Sequence, residues 1–337
     1  MKKVTLEMIA KEIGTTKNTV SRAIRGESGV SDELRSKIND LASQYGYQRK
    51  HPQHSKNEQA PFKVTMVCNN FLPYDTYFWP YVMKGIFEYS ARHQISTHTV
   101  IVDMIQDDIK YLLPLQEKHC DGILVIGTLP DSQFARIAEL GIPMVAVDHY
   151  NDNVECDYVN VANQNGTIKA VDFLKSHGHF SIGFINNEAA PYTYSFKQRF
   201  LGYKNRMEQL GLPIDPRFIW ADSTYTDNQY FHEKLDQLTA GDTPTAWICV
   251  NDLTAYNFCS VLSERSLRVP EDISVIGFDN IPGVFQTQLT TLGVPQNIIG
   301  CCALRRLVRR LRHPEEPFES IEIFTNLMDK GSVTPRT

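Results

Sequence analysis

The 337-residue sequence carries 34 Lys and Arg against 39 Asp and Glu, and its formal net charge is −5. Hydrophobic residues form 42% of the chain and charged residues 22%, the balance of a globular protein large enough for two or three domains. The first residues contain no uninterrupted apolar core, and no apolar run approaches the ~20 residues that a transmembrane helix needs. We therefore expect neither a secretory signal nor a membrane span.

The seven Cys are scattered and form no CxxC pair. This spacing argues against a zinc ribbon and a disulfide framework, and it favours a cytoplasmic protein whose Cys are mostly small buried residues. The sequence predicts no metal site and no cofactor.

The charge is distributed unevenly along the chain. Residues 1–60 hold 11 Lys and Arg against 7 Asp and Glu, a net charge of +4. Residues 61–337 hold 23 against 32, a net charge of −9. A basic segment before an acidic body favours a small nucleic-acid-binding module joined to a domain with another task.

Near the N-terminus, four apolar residues recur at i, i+3, i+4 and i+7 and predict the buried face of a short helix: Leu6, Ile9, Ala10 and Ile13. Thr5 precedes the helix and can cap its free amides. Gly14 follows it and can adopt the positive φ that a sharp turn between two helices requires.

A second helix is predicted after Thr16, a candidate N-cap. Its buried face comprises Val20, Ala23 and Ile24, and its opposite face carries only polar residues: Lys17, Asn18, Ser21, Arg22 and Arg25. Two short helices around a glycine turn, with such a face, are typical of a helix-turn-helix and its recognition helix. The alternative is an ordinary helical hairpin whose polar face is only solvated.

A third helix is predicted at about residues 32–45, with Ser31 as its N-cap and Gly46 at its end. Its apolar side would complete a small three-helix core. Residues 48–61 contain two prolines and no large apolar residue, which is the composition of a linker.

From Phe62 onward, short β-rich runs alternate with helical patterns. The predicted strands lie at 64–68, 96–102, 122–127, 143–148, 181–186, 246–250 and 274–278. The predicted helices lie at 80–93, 106–118, 196–210 and 227–239, and further ones end near 141, 177 and 265. This alternation predicts two parallel sheets covered by helices, with a binding cleft at the carboxyl ends of the strands.

Short sequence motifs in these segments resemble those of the LacI/GalR family of bacterial transcription regulators. In the headpiece they are VT, IA, G, TVSR, the G after it, VS and GY. In the body they are CDGILVIG, GIPMVAVD, HGHFSIGFI, RFLGY, VNDLTA, RVPEDISVIGFDNIP and LTTLGVPQ. The resemblance extends over nearly the whole chain.

The resemblance implies a small all-α three-helix headpiece at 1–47, a hinge or linker at 48–61, and an effector-binding and dimerisation domain at 62–337. The last is expected to be an α/β, two-lobed, periplasmic-binding-protein-like domain with parallel sheets. Its first lobe is predicted at 62–161 plus 291–320, and its second at 162–290 plus 321–337.

The resemblance also implies that the headpiece binds a double-stranded DNA operator. Arg22 is predicted to contact guanine, while Lys17 and Asn18 set base preference. The other predicted DNA contacts position the backbone: Thr5, Thr16, Ser21, Arg25 and Ser31. A homodimer would then read a pseudo-palindromic operator.

The linker departs from the family pattern. Relatives carry a hinge helix here, with a leucine that wedges into the minor groove. In this chain Pro52 falls inside that helix and Lys56 at the leucine position. The departure leaves open whether any hinge helix forms and how strongly the effector controls DNA binding.

The predicted effector-binding residues lie at or after strand ends, where a sugar would meet paired hydrogen-bonding groups and an aromatic face. They are Phe78, Trp79, Asp148, Arg199, Tyr225, Asn251 and Asp279. Trp79 has a packing alternative, and Asp252 is expected to cap the next helix. Val294 stands where relatives commonly carry Gln, so the polar set of the pocket is altered.

The arginine-rich run at 305–312 has an apolar helical stripe, so its arginines are predicted to form a solvated face. No heptad-bearing tail follows, which favours a dimer without a C-terminal coiled coil.

The leading interpretation is an effector-controlled, sequence-specific regulator, a repressor of carbohydrate genes with a sugar or sugar derivative as effector. Alternatives are a regulator with an impaired hinge that answers a phosphorylated metabolite or a partner protein, or an activator. A secreted solute-binding protein would lack the basic headpiece. An enzyme is not expected, because GxGxxG, P-loop, GxSxG and HExxH motifs are absent from the sequence.

Overall fold

The computed structural model describes residues 6–16, 19–20, 22–23, 30–44, 62–70, 72, 76–103, 120–187, 193–222, 228–238, 243–281 and 288–336. The chain divides into two compact units, Met1–Ala60 and Pro61–Thr337. The predicted linker at 48–61 and the predicted helix at 106–118 lie outside the described residues.

The first unit is helical. Helix α1 spans Leu6–Ile13 and helix α2 spans Asp32–Gln44, and between them residues 19, 20, 22 and 23 are helical as well. All three helical segments contribute to one buried apolar core: Ile9, Ala10, Val20, Ala23, Ile38 and Ala42. The predicted three-helix core is confirmed.

The first lobe of the second unit is built on a six-stranded sheet. Its strands are β1 (Lys63–Asn69), β2 (Ser96–Val102), β3 (Gly122–Ile126), β4 (Met144–Val147), β5 (Asp157–Val161) and β11 (Ser320–Ile323). They lie in the order β11-β5-β4-β3-β1-β2, and every neighbouring pair is parallel. Helices α3 (Trp79–His93) and α4 (Asp131–Ala138) follow β1 and β3.

The second lobe repeats this plan. Its strands are β6 (Ile182–Asn187), β7 (Ile219–Asp222), β8 (Ala246–Cys249), β9 (Ser274–Asp279), β10 (Thr290–Gly293) and β12 (Asn326–Met328). They lie in the order β12-β10-β9-β8-β6-β7, and only the β10–β12 pair is antiparallel. The helices are α5 (Asn163–Ser176), α6 (Tyr194–Gln209), α7 (Asn228–Asp236) and α8 (Asp252–Glu264).

The chain crosses between the two sheets three times: after β5, after β10 and after β11. Strand pairing thus places residues 290–293 in the second sheet and residues 320–323 in the first. The predicted two-lobed α/β fold is confirmed, whereas the lobe limits given above stay a prediction.

Helix α9 (Gln296–Arg312) follows the second crossing and returns to the first lobe. Helix α9 crosses α3 at two glycines, Gly85 of α3 and Gly300 of α9. A Cβ at Gly85 would lie 1.9 Å from the carbonyl oxygen of Asn297. A Cβ at Gly300 would lie 2.0 Å from the carbonyl oxygen of Val82. Its apolar stripe is buried as predicted, including Leu307.

The predicted solvated face of α9 is wrong for two of its arginines. Arg306 and Arg310 are only 3% and 4% exposed, and both form ion pairs with the fully buried Asp157 at the start of β5. Burying a guanidinium is favourable only where a carboxylate and further acceptors replace water. Here the carbonyl of Pro317 accepts hydrogen bonds from both side chains. Arg305 and Arg309 are exposed, as expected.

Across the described part of the chain, the helices are all too short or too polar to cross a bilayer.

Candidate functional site

The turn between the first two helical segments has the geometry predicted for it. Gly14 has a φ of +74°, which an L-residue with a Cβ rarely adopts. The Oγ1 of Thr16 accepts a hydrogen bond from the amide of Thr19 at 3.1 Å, so Thr16 caps the second helical segment. Ser31 likewise caps α2 through the amide of Leu34 at 3.4 Å.

The structure describes three of the eight predicted DNA-binding residues. Thr16 and Ser31 are exposed, and Arg22 is half-buried within the second helical segment. The other five lie outside the described residues: Thr5, Lys17, Asn18, Ser21 and Arg25. Their role in binding DNA stays a prediction.

The candidate effector site lies where strands of both lobes end. Asp148 follows β4 in the first lobe, Asn251 follows β8 in the second, and Asp279 is the last residue of β9. In parallel sheets these carboxyl ends line the crevice in which ligands bind. Tyr225 lies outside the described residues.

Backbone strain concentrates at these strand ends. Asp148, Asp279 and Asn280 have φ values of 55°, 109° and 53°, in the region that residues other than glycine seldom occupy. Such conformations persist where surrounding contacts impose them, and they cluster at functional sites. The strain therefore supports a site at these positions.

Arg199 on α6 lies beneath the strand ends and is 3% exposed. Its Nε donates to Oδ1 of Asn163 at 2.9 Å, and its Nη1 donates to the carbonyl of Val250 at 2.7 Å. Its Nη2 donates to Oδ1 of Asp279 at 2.9 Å, and its guanidinium carbon lies 3.7 Å from the centre of the Phe278 ring. Arg199 therefore ties α6 to the first crossing and to two strand ends.

Three carboxylates surround this single arginine. Burial raises the pKa of Asp279 to about 7, although Arg199 opposes the shift, and the nearby Asp252 and Asp148 raise it further. Burial also raises the pKa of Asp252 to about 6 and that of Asp148 above its usual range. The cluster thus carries more negative than positive charge when it is fully ionised.

The N-cap of α8 is Asn251 rather than the predicted Asp252, and the role of Asn251 in binding the effector stays a prediction. Asn251 is the N-cap of α8, because its Oδ1 accepts the amide of Thr254 at 2.9 Å. Asp252 accepts the hydroxyl of Thr291 at 2.6 Å and the amide of Ile281 at 2.9 Å. The expected cap by Asp252 is wrong, and its carboxylate instead fixes β10 and the segment after β9.

The aromatic pair lies at the start of α3. Phe78 and Trp79 are half-buried and meet edge to face, with ring centres 5.2 Å apart. An atom of the Trp79 ring would lie 3.3 Å from a Cβ at Gly127, the residue that follows β3. Trp79 therefore lies beside a strand end of the first lobe, and it also packs against the large apolar core.

Within the described residues, hydrogen bonds from the N-terminus of α6 connect the second lobe to the first across the cleft. The hydroxyl of Ser195 on α6 donates to Oδ1 of Asp148 in the first lobe. The amide of Tyr194 donates to Oγ1 of Thr128 at 3.4 Å. Both contacts join the N-terminus of α6 to the loops after β3 and β4.

Sequence reasoning missed Asn163, Ser195 and Gln296. Asn163 is the first residue of α5 after the first crossing, and it donates to the hydroxyl of Ser195 at 3.2 Å while accepting from Arg199. Gln296 donates to the carbonyl of Asp279 at 2.8 Å, while Val294 is buried. A polar residue beside a predicted crossing was the only sequence signal for Asn163.

Known families match both units of the chain. The model for bacterial regulatory proteins of the lacI family matches residues 5–50, and the model for a periplasmic binding protein-like domain matches residues 171–333.

Proteins of known function or structure match the chain over nearly its full length. The HTH-type transcriptional repressor PurR of Pasteurella multocida is 29% identical over 339 residues, which cover 98% of this chain and 99% of that protein. The transcriptional regulator CelR in complex with cellobiose has a TM-score of 0.69 at 23% identity, with 98% and 100% of the two chains covered. The lac repressor dimer bound to operator and the anti-inducer ONPF has a TM-score of 0.69 at 18% identity, with 99% and 100% covered.

A helix-turn-helix unit followed by a two-lobed α/β unit with a polar cleft defines a DNA-binding regulator with a small-molecule-binding domain. This chain belongs to the lacI family of bacterial regulatory proteins. The family consists of transcription regulators, so the predictions of a DNA-binding regulator and of a protein that is not an enzyme are confirmed.

Proposed function

We propose that the protein represses carbohydrate-utilisation genes by binding a pseudo-palindromic operator as a homodimer, and that a sugar-like effector in the cleft controls its DNA affinity. The observation that carries this proposal is the cluster of Arg199, Asp148 and Asp279 at the strand ends of both lobes. Relatives named as repressors, and a related regulator in complex with cellobiose, support the choice of repressor and sugar.

The control mechanism follows from where the cluster lies. Asp148 belongs to the first lobe and Arg199 to the second, and Ser195 already bonds the two lobes through Asp148. The two lobes can be open or closed around the cleft. An effector that engages groups of both lobes changes the free-energy difference between the open and the closed conformation. If these two conformations differ in operator affinity, the effector changes the observed operator affinity. The size of that change is set by how much more tightly the effector binds one conformation than the other.

The recognition helix supplies specificity. We propose Arg22 as the guanine contact, with Lys17 and Asn18 setting base preference and with Thr5, Thr16, Ser21, Arg25 and Ser31 holding the backbone. Thr16 and Ser31 support this assignment because both are exposed at helix N-termini, where amides and hydroxyls can meet phosphates. The protein would act in the cytoplasm, where its operator is found.

The proposal is tested by selecting operators from random duplexes with the full-length protein and measuring binding to the selected site. Arg22→Ala should weaken specific binding by roughly 1–3 kcal/mol and relax the base preference at one position of each half-site. Lys37→Ala is the matched control, because Lys37 is exposed on α2 and pairs with Glu33. Equal losses in the two variants, or a selected site without two-fold symmetry, would contradict the proposal.

The effector is sought by thermal unfolding of the full-length protein with a panel of sugars. A ligand at 100 times its Kd stabilises the folded state by about 2.7 kcal/mol, which raises the Tm by several degrees. The hit should be lost in Arg199→Ala and Asp279→Ala. Dimerisation is measured by light scattering, and a monomer at operator-binding concentrations would contradict the proposed symmetry.

A further inference from the structure

A polar pocket with a volume of about 300 Å³ lies where the chain first crosses between the lobes. It is bounded by the end of β5 and the first turns of α5, by the start of α6, and by β11 of the first lobe. This crossing pocket has the following polar lining residues in the described part of the chain: Asn163, Gln164, Asn165, Tyr194, Gln198 and Glu322. Pockets for small ligands have volumes of about 300–1,000 Å³, so this one has room for a single small molecule.

The crossing pocket is separate from the charged cluster of the cleft. Asp148, Arg199 and Asp279 are not among its described lining residues. Asn163 touches both sites, but its amide group is committed to Arg199 and to Ser195. A molecule in the crossing pocket would therefore be held by other side chains than those proposed to hold the effector.

One polar atom of a lining residue lacks a hydrogen-bond partner. The Oδ1 of Asn165, in the first turn of α5, is buried and accepts no hydrogen bond from any described residue. A buried acceptor without a donor raises the free energy of the folded state, and such atoms are rare in native proteins. Asn165 therefore favours an occupant of the crossing pocket that donates a hydrogen bond.

The other polar groups of the lining are amides, one phenol and one carboxylate. The Nε2 of Gln164 donates to Oε1 of Gln198 at 2.7 Å, so two amide groups meet between α5 and α6. The hydroxyl of Tyr194 and the carboxylate of Glu322 form no hydrogen bond with a described residue, and Glu322 is the only charged side chain of the described lining. Amides and a carboxylate exchange paired hydrogen bonds with neighbouring hydroxyls, and an aromatic ring covers the C–H face of a sugar.

From this arrangement we infer that the crossing pocket is a second ligand site, which binds an uncharged polyhydroxy molecule of monosaccharide size. Hydroxyls of this molecule would donate to Asn165 and Glu322, and the ring of Tyr194 would cover a C–H face. The site itself does not depend on the proposed effector-binding function, whereas its influence on the cleft rests on that function.

Tyr194 joins the crossing pocket to the cleft. Its side chain lines the pocket, its amide bonds Thr128, and the next residue, Ser195, bonds Asp148. Burial raises the pKa of the Tyr194 hydroxyl, and the nearby carboxylates of Glu322 and Asp148 raise it further. Because Glu322 belongs to the first lobe and α6 to the second, a ligand in the pocket would contact both lobes. It would therefore favour one arrangement of the lobes and change the operator affinity together with the affinity for the effector.

The test is thermal unfolding of the full-length protein with glucose, galactose, ribose, xylitol, sorbitol and glucose 6-phosphate. Each compound is measured with the wild type, with Asn165→Leu and with Asp279→Asn. A compound held in the crossing pocket should raise the Tm of the wild type and of Asp279→Asn by several degrees and leave that of Asn165→Leu unchanged. A compound held in the cleft should give the reverse pattern.

Further variants locate the binding in the crossing pocket. Asn165→Leu keeps the size of the side chain and removes the unpaired acceptor, so the variant is expected to fold. Glu322→Gln tests the pocket from the exposed strand β11, and isothermal titration should show affinity reduced about tenfold. Asn205→Leu is the matched control, because Asn205 is exposed on α6 outside the pocket and should keep the full response.

Each outcome has a definite meaning. A panel without a compound that shows the pocket pattern would overturn the inference, and a compound with the cleft pattern would leave the proposed function standing. Glucose 6-phosphate bound in the pocket more tightly than glucose would overturn the assignment to an uncharged ligand. The pocket ligand at saturation should change the Kd for the selected operator at least threefold in the wild type and not in Asn165→Leu. An unchanged Kd in the wild type would overturn the coupling to DNA binding.

Discussion

Asp279→Asn tests the electrostatics of the cleft without any ligand. In the folded protein, burial raises the pKa of Asp279 to about 7, from a usual value of 3.8. Between these two values the folded state holds a proton that the unfolded state has released. The stability contributed by this group is therefore fully present below about pH 4 and is lost as the pH rises through 7.

The magnitude follows from the size of the shift. One pKa unit corresponds to about 1.4 kcal/mol, so a rise of about three units corresponds to roughly 4 kcal/mol in total. Between pH 5 and pH 7.5 the wild-type protein should lose about 2–3 kcal/mol of folding free energy through this group alone. Asp279→Asn removes this titratable group. The free energy of unfolding of the wild type minus that of the variant should therefore fall by about 2–3 kcal/mol between pH 5 and pH 7.5.

The assay is urea unfolding of the full-length protein at several pH values, followed by tryptophan fluorescence. All three Trp residues, 79, 220 and 247, belong to the second unit, so the signal reports its unfolding alone. His149 acts in the opposite direction, since burial lowers its pKa to about 4, but this contribution is common to both proteins and cancels in the difference.

Asp272→Asn is the matched control. Asp272 pairs with Arg268 near the surface, and hydrogen bonds from that arginine lower the pKa of Asp272 to about 2. It is ionised throughout pH 5–7.5 whether the chain is folded or not, so its removal should leave the pH profile parallel to that of the wild type. If the Asp279→Asn profile were also parallel to the wild type, the proposed proton uptake by Asp279 would be refuted.

Three further substitutions test the fold that supports the two sites. Gly14→Ala places a Cβ at a φ of +74°, which costs roughly 1–2 kcal/mol. Operator binding should weaken, whereas unfolding followed by tryptophan fluorescence should be unchanged because all three Trp residues lie in the second unit. Asp157→Asn leaves two buried arginines without their carboxylate and should lower the free energy of unfolding by roughly 3–5 kcal/mol in urea. Asp172→Asn is the control: it removes a partly exposed ion pair and should lower the free energy of unfolding by less than about 1 kcal/mol. Gly85→Ala forces a Cβ against the carbonyl oxygen of Asn297 and should destabilise the second unit by roughly 1–3 kcal/mol in the same assay. A Gly85→Ala protein as stable as wild type would contradict the close packing of α3 on α9.

Features that depend on residues three or four apart could be predicted from the sequence. The cap by Thr16, the turn at Gly14 and the cap by Ser31 each involve neighbouring backbone groups, and all three are observed. The alternation of strands and helices likewise reflects local burial patterns, so it predicted two sheets of mostly parallel strands but not the antiparallel β10–β12 pair. Local chemistry was sufficient for these elements.

Features that depend on distant partners could not be predicted from one sequence. Arg199 was identified as a site residue, but its acceptors Asn163 and Asp279 lie 36 and 80 positions away. Helical periodicity placed Arg310 on the polar side of α9, and nothing nearby reveals the carboxylate of Asp157, 153 positions earlier in the chain. Only the fold brings these groups together.

The strand order of the first lobe has a consequence for how the protein is synthesised. Its edge strand β11 pairs with β5, and a hydrogen bond from the amide of Glu319 to Asp157 joins residues that are 162 positions apart. When the ribosome has released residues 62–161, the growing lobe still lacks an edge strand and the helix that covers α3.

The missing pieces arrive only after β6 to β10 of the second lobe have been made. Contacts between such distant segments form late in folding, because long loops must close before the contacts stabilise anything. Each lobe has its own sheet, yet the first cannot be completed on the ribosome before nearly the whole chain exists. We therefore expect the two lobes to fold as one cooperative unit after translation rather than one after the other during it.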